Sequence, residues 1–427
     1  STYTRDFPQA LGRTDTHPLL PMNPHKLYRR AFLQEHAIRF PEGRRVLWED
    51  ALFNLQVARH AKVVSTLAST PFYHWSQTKG GGTDTAFAKW SDDYWAWYRR
   101  VLEATIDATE GEGRERDQLL RSQYVNRVLG TFGPGFADRP LEARQYLFDH
   151  CRAVQQDFDL HRLDATLSPS QRARAYLLRS GSLELMEAFC TEDRPLEALV
   201  TATSAEWQDG KLHLAADVEW ETSEGGSWSL RREDDRIVRQ FSDALNDALP
   251  VELRDVTSHI EKATLGLMIR HRKSRVCWSV ASTSAVTTVD GLDGVSFTGQ
   301  ISATIDPATA AMGTPLEPGY WDPFVSCRLS SKPRAIRSEL PASVWVGDER
   351  LNLAYANDGG TTTLYVDGRA EAPLRLAPSS AHLTDGGEVE ILLSGRHDGD
   401  GSATTSIGVD DQPTGSPKFA PRPATLT

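Results

Sequence analysis

The sequence predicts a multi-domain α+β protein, with a mixed α/β segment first, a helical connector second and two all-β sandwiches last. From residue 51, and again between residues 91 and 195, apolar residues recur at the spacing of amphipathic helices. From about residue 196 they alternate with polar residues, as in strands that bury one face. We therefore divide the chain into residues 1–90, 91–195, 196–312 and 313–411. A tail over 412–427, rich in proline and small polar residues, is predicted to be flexible.

The first segment contains an acidic pair at the start of a predicted helix. Glu49 and Asp50 follow an irregular basic stretch and precede apolar residues at helical spacing, namely Leu52, Leu55, Ala58 and Ala61. We predict that Asp50 caps this helix, because the unpaired N–H groups and the helix dipole favour an ionised carboxylate there. Such a carboxylate can accept the proton of an attacking alcohol. The alternative is that Asp50 only caps the helix and Glu49 is solvated.

Four elements of this segment resemble the C-terminal half of the GT-A catalytic domain of family 2 glycosyltransferases. These are a predicted helix over 26–30, a Phe-Pro-Glu-Gly loop over 40–43, the acidic pair, and a predicted strand over 63–75 that ends in aromatic residues. The resemblance implies an inverting displacement, in which an acceptor hydroxyl attacks the anomeric carbon of a nucleotide sugar. Asp50 would be the general base, and Glu49 would orient the acceptor or Asp50 itself.

The same resemblance implies a set of substrate-binding residues, which are His25, Lys26, His74, Trp75 and Lys79. Lys26 would face the donor phosphates or brace the acceptor loop, unless it is an ordinary surface residue. His74 would contact the pyrophosphate leaving group or satisfy a local hydrogen bond. Lys79 lies in a glycine-rich loop suited to closing over a ligand. Relatives often carry arginines in this loop, whereas Lys79 is its only cation, which weakens the prediction of a phosphate clamp.

The nucleotide-binding half that this family places first has no counterpart in residues 1–22. Asp6 and Asp15 lie there, but neither belongs to a strand-flanked motif of the Asp-x-Asp type that holds a divalent cation and the sugar diphosphate. We therefore interpret the chain as a fragment and expect it to lack the donor site when it is alone. The Mg²⁺ or Mn²⁺ ion of the intact enzyme would be bound by a segment outside this sequence.

Composition limits the partners and the location of the protein. The 427 residues are 39% hydrophobic and 25% charged, which is enough to form substantial cores. The net charge of −11 argues against nucleic acid or an anionic membrane surface as the main partner, and the basic run over 270–273 is predicted to be a solvated face or turn. Four cysteines without metal or redox spacing indicate a reduced, cytoplasmic protein. The inner face of the cell membrane is the alternative location.

The connector over 91–195 is predicted from several helical stripes. One stripe is aromatic and consists of Trp90, Tyr94, Trp97, Tyr98, Val101 and Leu102. It could stack on sugar rings, but its spacing favours burial against a neighbouring helix. Residues 176–185 also resemble the helical linker that follows the catalytic domain in actinobacterial members of the family.

The β region is predicted to form two immunoglobulin-like sandwiches of roughly 110 residues each. Residues 212–220 alternate strictly between apolar and polar, and the pattern repeats over 276–280 and 295–305 in the first sandwich. It continues over 325–329, 344–346, 351–355 and 389–393 in the second. An inserted helix is predicted over 237–249.

These predictions favour a fragment of an inverting glycosyltransferase related to the wall-teichoic-acid enzymes. The intact protein would transfer a hexosyl or N-acetylhexosaminyl group from a nucleotide-diphosphate donor to a hydroxyl of a polyol-phosphate or polysaccharide acceptor in the cell envelope. The alternative is a noncatalytic glycan-binding or assembly module. The sandwiches would be scaffold, or they would hold the acceptor or form a homo-oligomer.

Overall fold

The computed structural model describes residues 5–23, 25–43, 46–70, 73, 89, 91–109, 113–292, 294–330, 332–346 and 351–366, together with the backbone of short strands beyond them. The α-helices are α1 (Arg30–Glu35), α2 (Glu49–His60), α3 (Asp92–Ala108), α4 (Arg114–Gln123), α5 (Leu141–Asp157), α6 (Pro169–Ser180), α7 (Leu183–Glu192), α8 (Asp243–Ala248), α9 (Val251–Arg254) and α10 (Thr257–Glu261). A π-helical segment, Tyr124–Val128, follows α4, and 3₁₀ turns occupy Leu129–Thr131, Pro134–Phe136 and Leu160–Thr166.

The strands begin where the connector ends. They are β1 (Leu196–Gln208), β2 (Lys211–Thr222), β3 (Leu230–Glu233), β4 (Arg236–Arg239), β5 (Leu265–His271), β6 (Cys277–Val280), β7 (Ser282–Gly291), β8 (Gly294–Ile305), β9 (Gly319–Cys327), β10 (Arg334–Ala335), β11 (Ser343–Val346), β12 (Leu351–Ala356), β13 (Thr362–Val366), β14 (Ser380–Leu383), β15 (Val389–Leu392), β16 (Gly395–His397), β17 (Thr404–Ser406) and β18 (Pro423–Thr425). The mixed helix and strand content agrees with the predicted α+β class.

The N-terminal segment is built around α2, which packs on two sides. Ala51, Leu52 and Leu55 of α2 contact Val101 and Leu119 of the connector. The opposite side of α2 carries Phe53 and Val57, which pack on residues of the N-terminal segment itself, including Leu19 and Ile38. The helix is therefore the element that joins the segment to the connector.

The connector helices α3 to α7 enclose a large apolar core. Its interior is rich in aromatic side chains, and Tyr98, Tyr124, Phe132, Phe148 and Phe189 are fully buried there. The predicted aromatic stripe is core at its described positions, because Tyr94, Tyr98, Val101 and Leu102 are buried and Trp97 is half-buried. Burial of aromatic rings at this density is a large stabilising contribution.

The β region forms two sheets that share one core. The first sheet has the strand order β1-β2-β8-β7, and the second has the order β16-β11-β12-β13-β9-β5-β6 with β10 beside β9. Val218 and Ile301 of the first sheet pack in the same cluster as Ile269, Val325 and Leu364 of the second. Two layers with alternating side chains enclose this core, as in a sandwich.

The predicted division into two sandwiches at residue 312 is wrong for the described strands. β5, from the first predicted sandwich, pairs antiparallel with β9 from the second, over Leu265↔Cys327 to His271↔Trp321. Strands from both sides of residue 312 also contribute to the shared core. The cause is that alternation identifies a strand but carries no information about its partner, which can lie far away in the chain.

The insertion between β4 and β5 packs on the connector. The predicted helix over 237–249 is shorter than expected, because β4 extends to Arg239 and α8 begins at Asp243. Leu245 and Leu249 are buried in the connector core. This insertion therefore packs the sheet region against the helices.

Candidate functional site

The acidic pair lies in the first turn of α2, but Asp50 does not cap the helix as predicted. The helix begins at Glu49, so the N-cap is Trp48, whose backbone is left-handed at φ 56° and ψ 41°. The Trp48 side chain makes no capping hydrogen bond to this end of the helix. The left-handed residue turns the chain into the helix two residues earlier than predicted, since the cap is residue 48 and not residue 50. Glu49 and Asp50 both remain beside the positive end of the dipole.

Trp48 is held in this uncommon conformation by the connector. Its ring makes edge contacts with the rings of Tyr94 and Tyr98, at centroid distances of 5.0 Å and 5.9 Å. The guanidinium of Arg127 lies 4.7 Å from the Trp48 ring centroid, and the preceding residue, Leu47, is buried in the connector core. Since a left-handed non-glycine residue costs free energy, these contacts must maintain it. The acidic pair is thereby fixed at the rim of the connector.

Asp50 is half-buried, and its carboxyl pKa is raised. Burial raises the pKa of the Asp50 carboxyl, and the neighbouring carboxylate of Glu49 raises it further. The ammonium of Lys26 acts in the opposite direction and lowers the Asp50 pKa, but it does not outweigh the other two. A carboxyl group with a raised pKa and partial access to solvent has the properties of a proton acceptor.

Lys26 lies close to Asp50, but in a loop rather than in the predicted helix over 26–30, since α1 begins only at Arg30. Its Nζ donates to the carbonyl oxygens of Pro21 at 2.7 Å and Asn23 at 3.2 Å. Burial lowers the pKa of Lys26 to about 8, and the charge of Asp50 partly opposes that shift. Lys26 is therefore a half-buried cation whose charge acts on Asp50.

His25 precedes Lys26 in the same loop. Its ring centroid lies 6.0 Å from that of Tyr73, with the planes tilted by 49°. Burial, followed by the charge of Lys26, lowers the pKa of His25 to about 4, so this imidazole is neutral at pH 7. Of the predicted site residues, the structure brings together His25, Lys26, Glu49 and Asp50.

Two residues that the sequence analysis did not select connect these groups. Tyr28 Oη donates to Asn54 Oδ1 at 2.9 Å, and Asn54 Nδ2 donates to the carbonyl oxygen of Asp50 at 2.7 Å. Asn54 is buried among apolar residues of α2. A buried amide one helical turn after an acidic pair was a signal available in the sequence, because such groups are nearly always hydrogen-bonded.

Exposed apolar side chains surround this site. Leu27 and Tyr73 are exposed, and the exposed ring of Phe40 stacks on the buried ring of Phe53 at 4.2 Å. Over 63–70, the described part of the predicted strand over 63–75, the chain forms only an isolated bridge between Thr66 and Phe7. The strand is therefore not present there.

The remaining predicted site residues, His74, Trp75 and Lys79, lie outside the described residues. Within the described parts of the chain, no group of three or more His, Cys, Asp or Glu side chains is arranged to hold a metal ion. The divalent cation that the resemblance implies is expected to be bound by a segment outside this sequence, and it stays a prediction. Among the described helices, none is long and apolar enough to cross a membrane.

The connector matches a known protein family. Residues 91–190 match the model of the glycosyl transferase TarS linker domain. A segment of 106 residues is 28% identical to the poly(ribitol-phosphate) beta-N-acetylglucosaminyltransferase TarS of Staphylococcus aureus. That segment is 25% of this chain and 18% of the relative, so the similarity covers about a fifth of the relative's length.

Two solved structures of S. aureus TarS also resemble the chain. A crystal structure of TarS 217–571 has a TM-score of 0.25 at 13% identity and covers 75% of this chain and 87% of that one. A crystal structure of TarS 1–349 in complex with UDP-GlcNAc has a TM-score of 0.32 at 19% identity, covering 44% and 52%. Both TM-scores are low, so the relationship rests on the linker-domain match and the sequence similarity.

Proposed function

We propose that the chain is part of an inverting family 2 glycosyltransferase that adds a sugar to a hydroxyl of a cell-envelope polymer. The linker-domain match over residues 91–190 supports a relationship to teichoic-acid glycosylation. By analogy with the name of its S. aureus relative, the donor would carry N-acetylglucosamine and the acceptor would be a polyol phosphate. The N-terminal segment would be the C-terminal half of a GT-A domain.

The observation that carries the proposal is the half-buried Asp50, whose pKa is raised although the charge of Lys26 opposes the shift. In the proposed reaction, the acceptor oxygen forms a bond to the anomeric carbon while Asp50 takes the hydroxyl proton. The bond from that carbon to the nucleoside diphosphate breaks, and the diphosphate leaves with the electron pair. Glu49 would orient the acceptor or Asp50 itself.

Lys26 and His25 would have separate tasks in this site. Lys26 is mostly charged at pH 7, since its pKa is about 8, so it can attract an acceptor or donor phosphate. His25 is neutral at that pH and can donate or accept a hydrogen bond without adding charge. The exposed rings of Phe40 and Tyr73 would supply apolar surface for a sugar or polyol.

Substitution Asp50→Asn tests the proposal in the complete gene product. It removes the proton acceptor and preserves the shape, so transfer should fall roughly a hundredfold to ten-thousandfold. Binding of the nucleotide sugar, measured by calorimetry, should be nearly unchanged. Asp93→Asn is the matched control, because Asp93 is an exposed acid in the first turn of α3 and its substitution should leave transfer intact.

Full transfer by the Asp50→Asn variant would show that Asp50 is not the general base. No transfer by the complete wild-type product with any nucleotide sugar would favour the noncatalytic alternative, in which the N-terminal segment serves glycan binding or assembly.

A further inference from the structure

Asn54 is a buried polar residue whose orientation is fixed by its partners. It is 1% exposed on a helix whose neighbouring side chains are apolar, including Phe53 and Leu55. The carbonyl oxygen of Asp50 can only accept a hydrogen bond, so the amide nitrogen of Asn54 must face it. The amide oxygen therefore faces Tyr28, and the Tyr28 hydroxyl must be the donor.

Tyr28 is suited to remain that donor. Burial raises its pKa to about 12, so the hydroxyl keeps its proton across the working pH range. Its ring makes an edge contact with the ring of Phe53 at a centroid distance of 5.1 Å and an interplanar angle of 75°. The hydroxyl is thus held both by packing and by the Asn54 bond.

The loop that carries His25 and Lys26 is anchored on both sides. On one side, Lys26 Nζ bonds the carbonyl oxygens of Pro21 and Asn23. On the other side, Tyr28 connects through Asn54 to the backbone of Asp50. This chain of hydrogen bonds links the basic loop to the first turn of α2.

We propose that Tyr28 and Asn54 are positioning residues that hold the His25-Lys26 loop at a fixed distance from the Asp50 carboxylate. The inference rests on the proposed function, because it assigns these residues a task in the alignment of the acceptor. Their hydrogen bonds reach the Asp50 backbone and not its carboxylate. Their effect is geometric: a displacement of about 1 Å between a base and its substrate can cost roughly a hundredfold in rate.

The Tyr28→Phe variant of the complete gene product tests this role. It removes one hydroxyl and keeps the ring on Phe53, so kcat for sugar transfer should fall roughly tenfold to a hundredfold. The KM for the nucleotide sugar should change less than kcat, because Asn54 connects to the backbone of the proposed proton acceptor, Asp50. In the double variant Tyr28→Phe/Asn54→Ala, the loss of kcat should be smaller than the product of the two single losses, since both substitutions break one connection.

Tyr146→Phe is the matched control. The Tyr146 hydroxyl also donates to a polar side chain, Asp92 Oδ1 at 2.6 Å, but in the connector. This variant loses the same atom and should retain kcat. Equal losses in Tyr28→Phe and Tyr146→Phe would indicate a general structural effect and would overturn the proposal.

Hydrogen exchange on this chain provides a readout independent of transfer. In Tyr28→Phe, the amides of residues 25–30 and of the first turn of α2 should exchange faster, and in Tyr146→Phe they should not. Unchanged exchange, or unchanged kcat while Asp50→Asn is inactive, overturns the positioning role. If the wild-type protein shows no transfer, the proposed function fails, and the catalytic part of this inference fails with it. Hydrogen exchange would still decide whether Tyr28 and Asn54 connect the loop to α2.

Discussion

Two aspartates in two regions of the molecule have pKa values shifted in opposite directions. Asp193 lies at the junction between the connector and the sheets, and Asp50 lies in the N-terminal segment. Both lose water on folding, and for both this loss alone raises the carboxyl pKa. The difference is in the charges that surround them.

Asp193 is enclosed by cations and donors. It is 3% exposed and accepts hydrogen bonds from Ser170 Oγ at 2.9 Å, from Arg174 at 2.7 Å and from Arg239. The Arg239 guanidinium also lies over the ring of Trp228 at 4.1 Å. Burial favours the neutral acid, but Arg239 and Arg174 outweigh it and hold the pKa of Asp193 below its usual range. The carboxylate locks α6, the end of α7 and β4 together.

For Asp50, burial and the adjacent carboxylate of Glu49 raise the pKa, and among the described residues the opposing charge is that of Lys26, which does not outweigh them. The comparison shows that the surrounding charges suit one carboxylate to stabilise the fold and the other to accept a proton. A fully paired carboxylate stabilises a junction but cannot easily accept a proton. A partly buried carboxylate whose neighbouring positive charge does not outweigh burial has a raised pKa. It lowers the stability of the fold slightly and accepts a proton more readily.

The largest effect is expected from breaking the paired carboxylate. Asp193→Ala leaves two guanidinium groups buried without their anion and should destabilise the fold by about 3–5 kcal/mol, measured by urea unfolding. Asp247→Ala, at an exposed position in nearby α8, is the control and should change stability by about 0.5 kcal/mol or less. A loss of stability in Asp193→Ala no larger than in the control would show that the junction does not depend on this carboxylate.

The same substitution has a defined pH dependence. Because the folded-state pKa of Asp193 is lowered, its contribution is present above the unfolded-state value of about 3.9 and is lost as pH falls through the folded-state value. The difference in stability between wild type and Asp193→Ala should therefore shrink in acid. An unchanged difference down to the folded-state pKa would contradict this assignment.

A matched pair of leucine substitutions tests packing in the two regions. Leu102 is 0% exposed in the connector core, so Leu102→Ala should cost about 2–5 kcal/mol. Leu27 is 84% exposed beside Lys26, so Leu27→Ala should change folding stability by about 0.5 kcal/mol or less. Thermal and urea unfolding measure both. A large loss in Leu27→Ala would show that this side chain is covered in solution.

The smallest expected effect on folding stability is a gain and not a loss. The folded-state pKa of Asp50 is raised, so ionisation of this group costs folding free energy once the pH exceeds its unfolded-state value. Asp50→Asn removes that cost and the repulsion from Glu49. At pH 7 the variant should therefore be slightly more stable, by about 0.5 kcal/mol or less, and at pH 3 the gain should disappear. A destabilised Asp50→Asn variant at pH 7 would contradict the electrostatic description of the site.

Much of the local structure could be predicted from the sequence. The three- and four-residue spacing identified α2 and the buried stripe of α3, and strict alternation identified β2, β8 and β9. The acidic pair was found at the start of a helix, although the cap is Trp48, whose left-handed backbone depends on ring contacts with the connector. That conformation has no local signal in the sequence.

The sequence by itself determined the type and approximate position of these elements and placed Asp50 at the start of a helix, because periodicity and helix-start chemistry are properties of neighbouring residues. Only the tertiary structure decided that β5 pairs with β9, that the charge of Lys26 acts on Asp50, and that Asn54 connects Tyr28 to the acidic pair. The physical reason is that these contacts join residues distant in sequence, and their selection depends on how the whole chain buries its apolar surface and satisfies its buried polar groups.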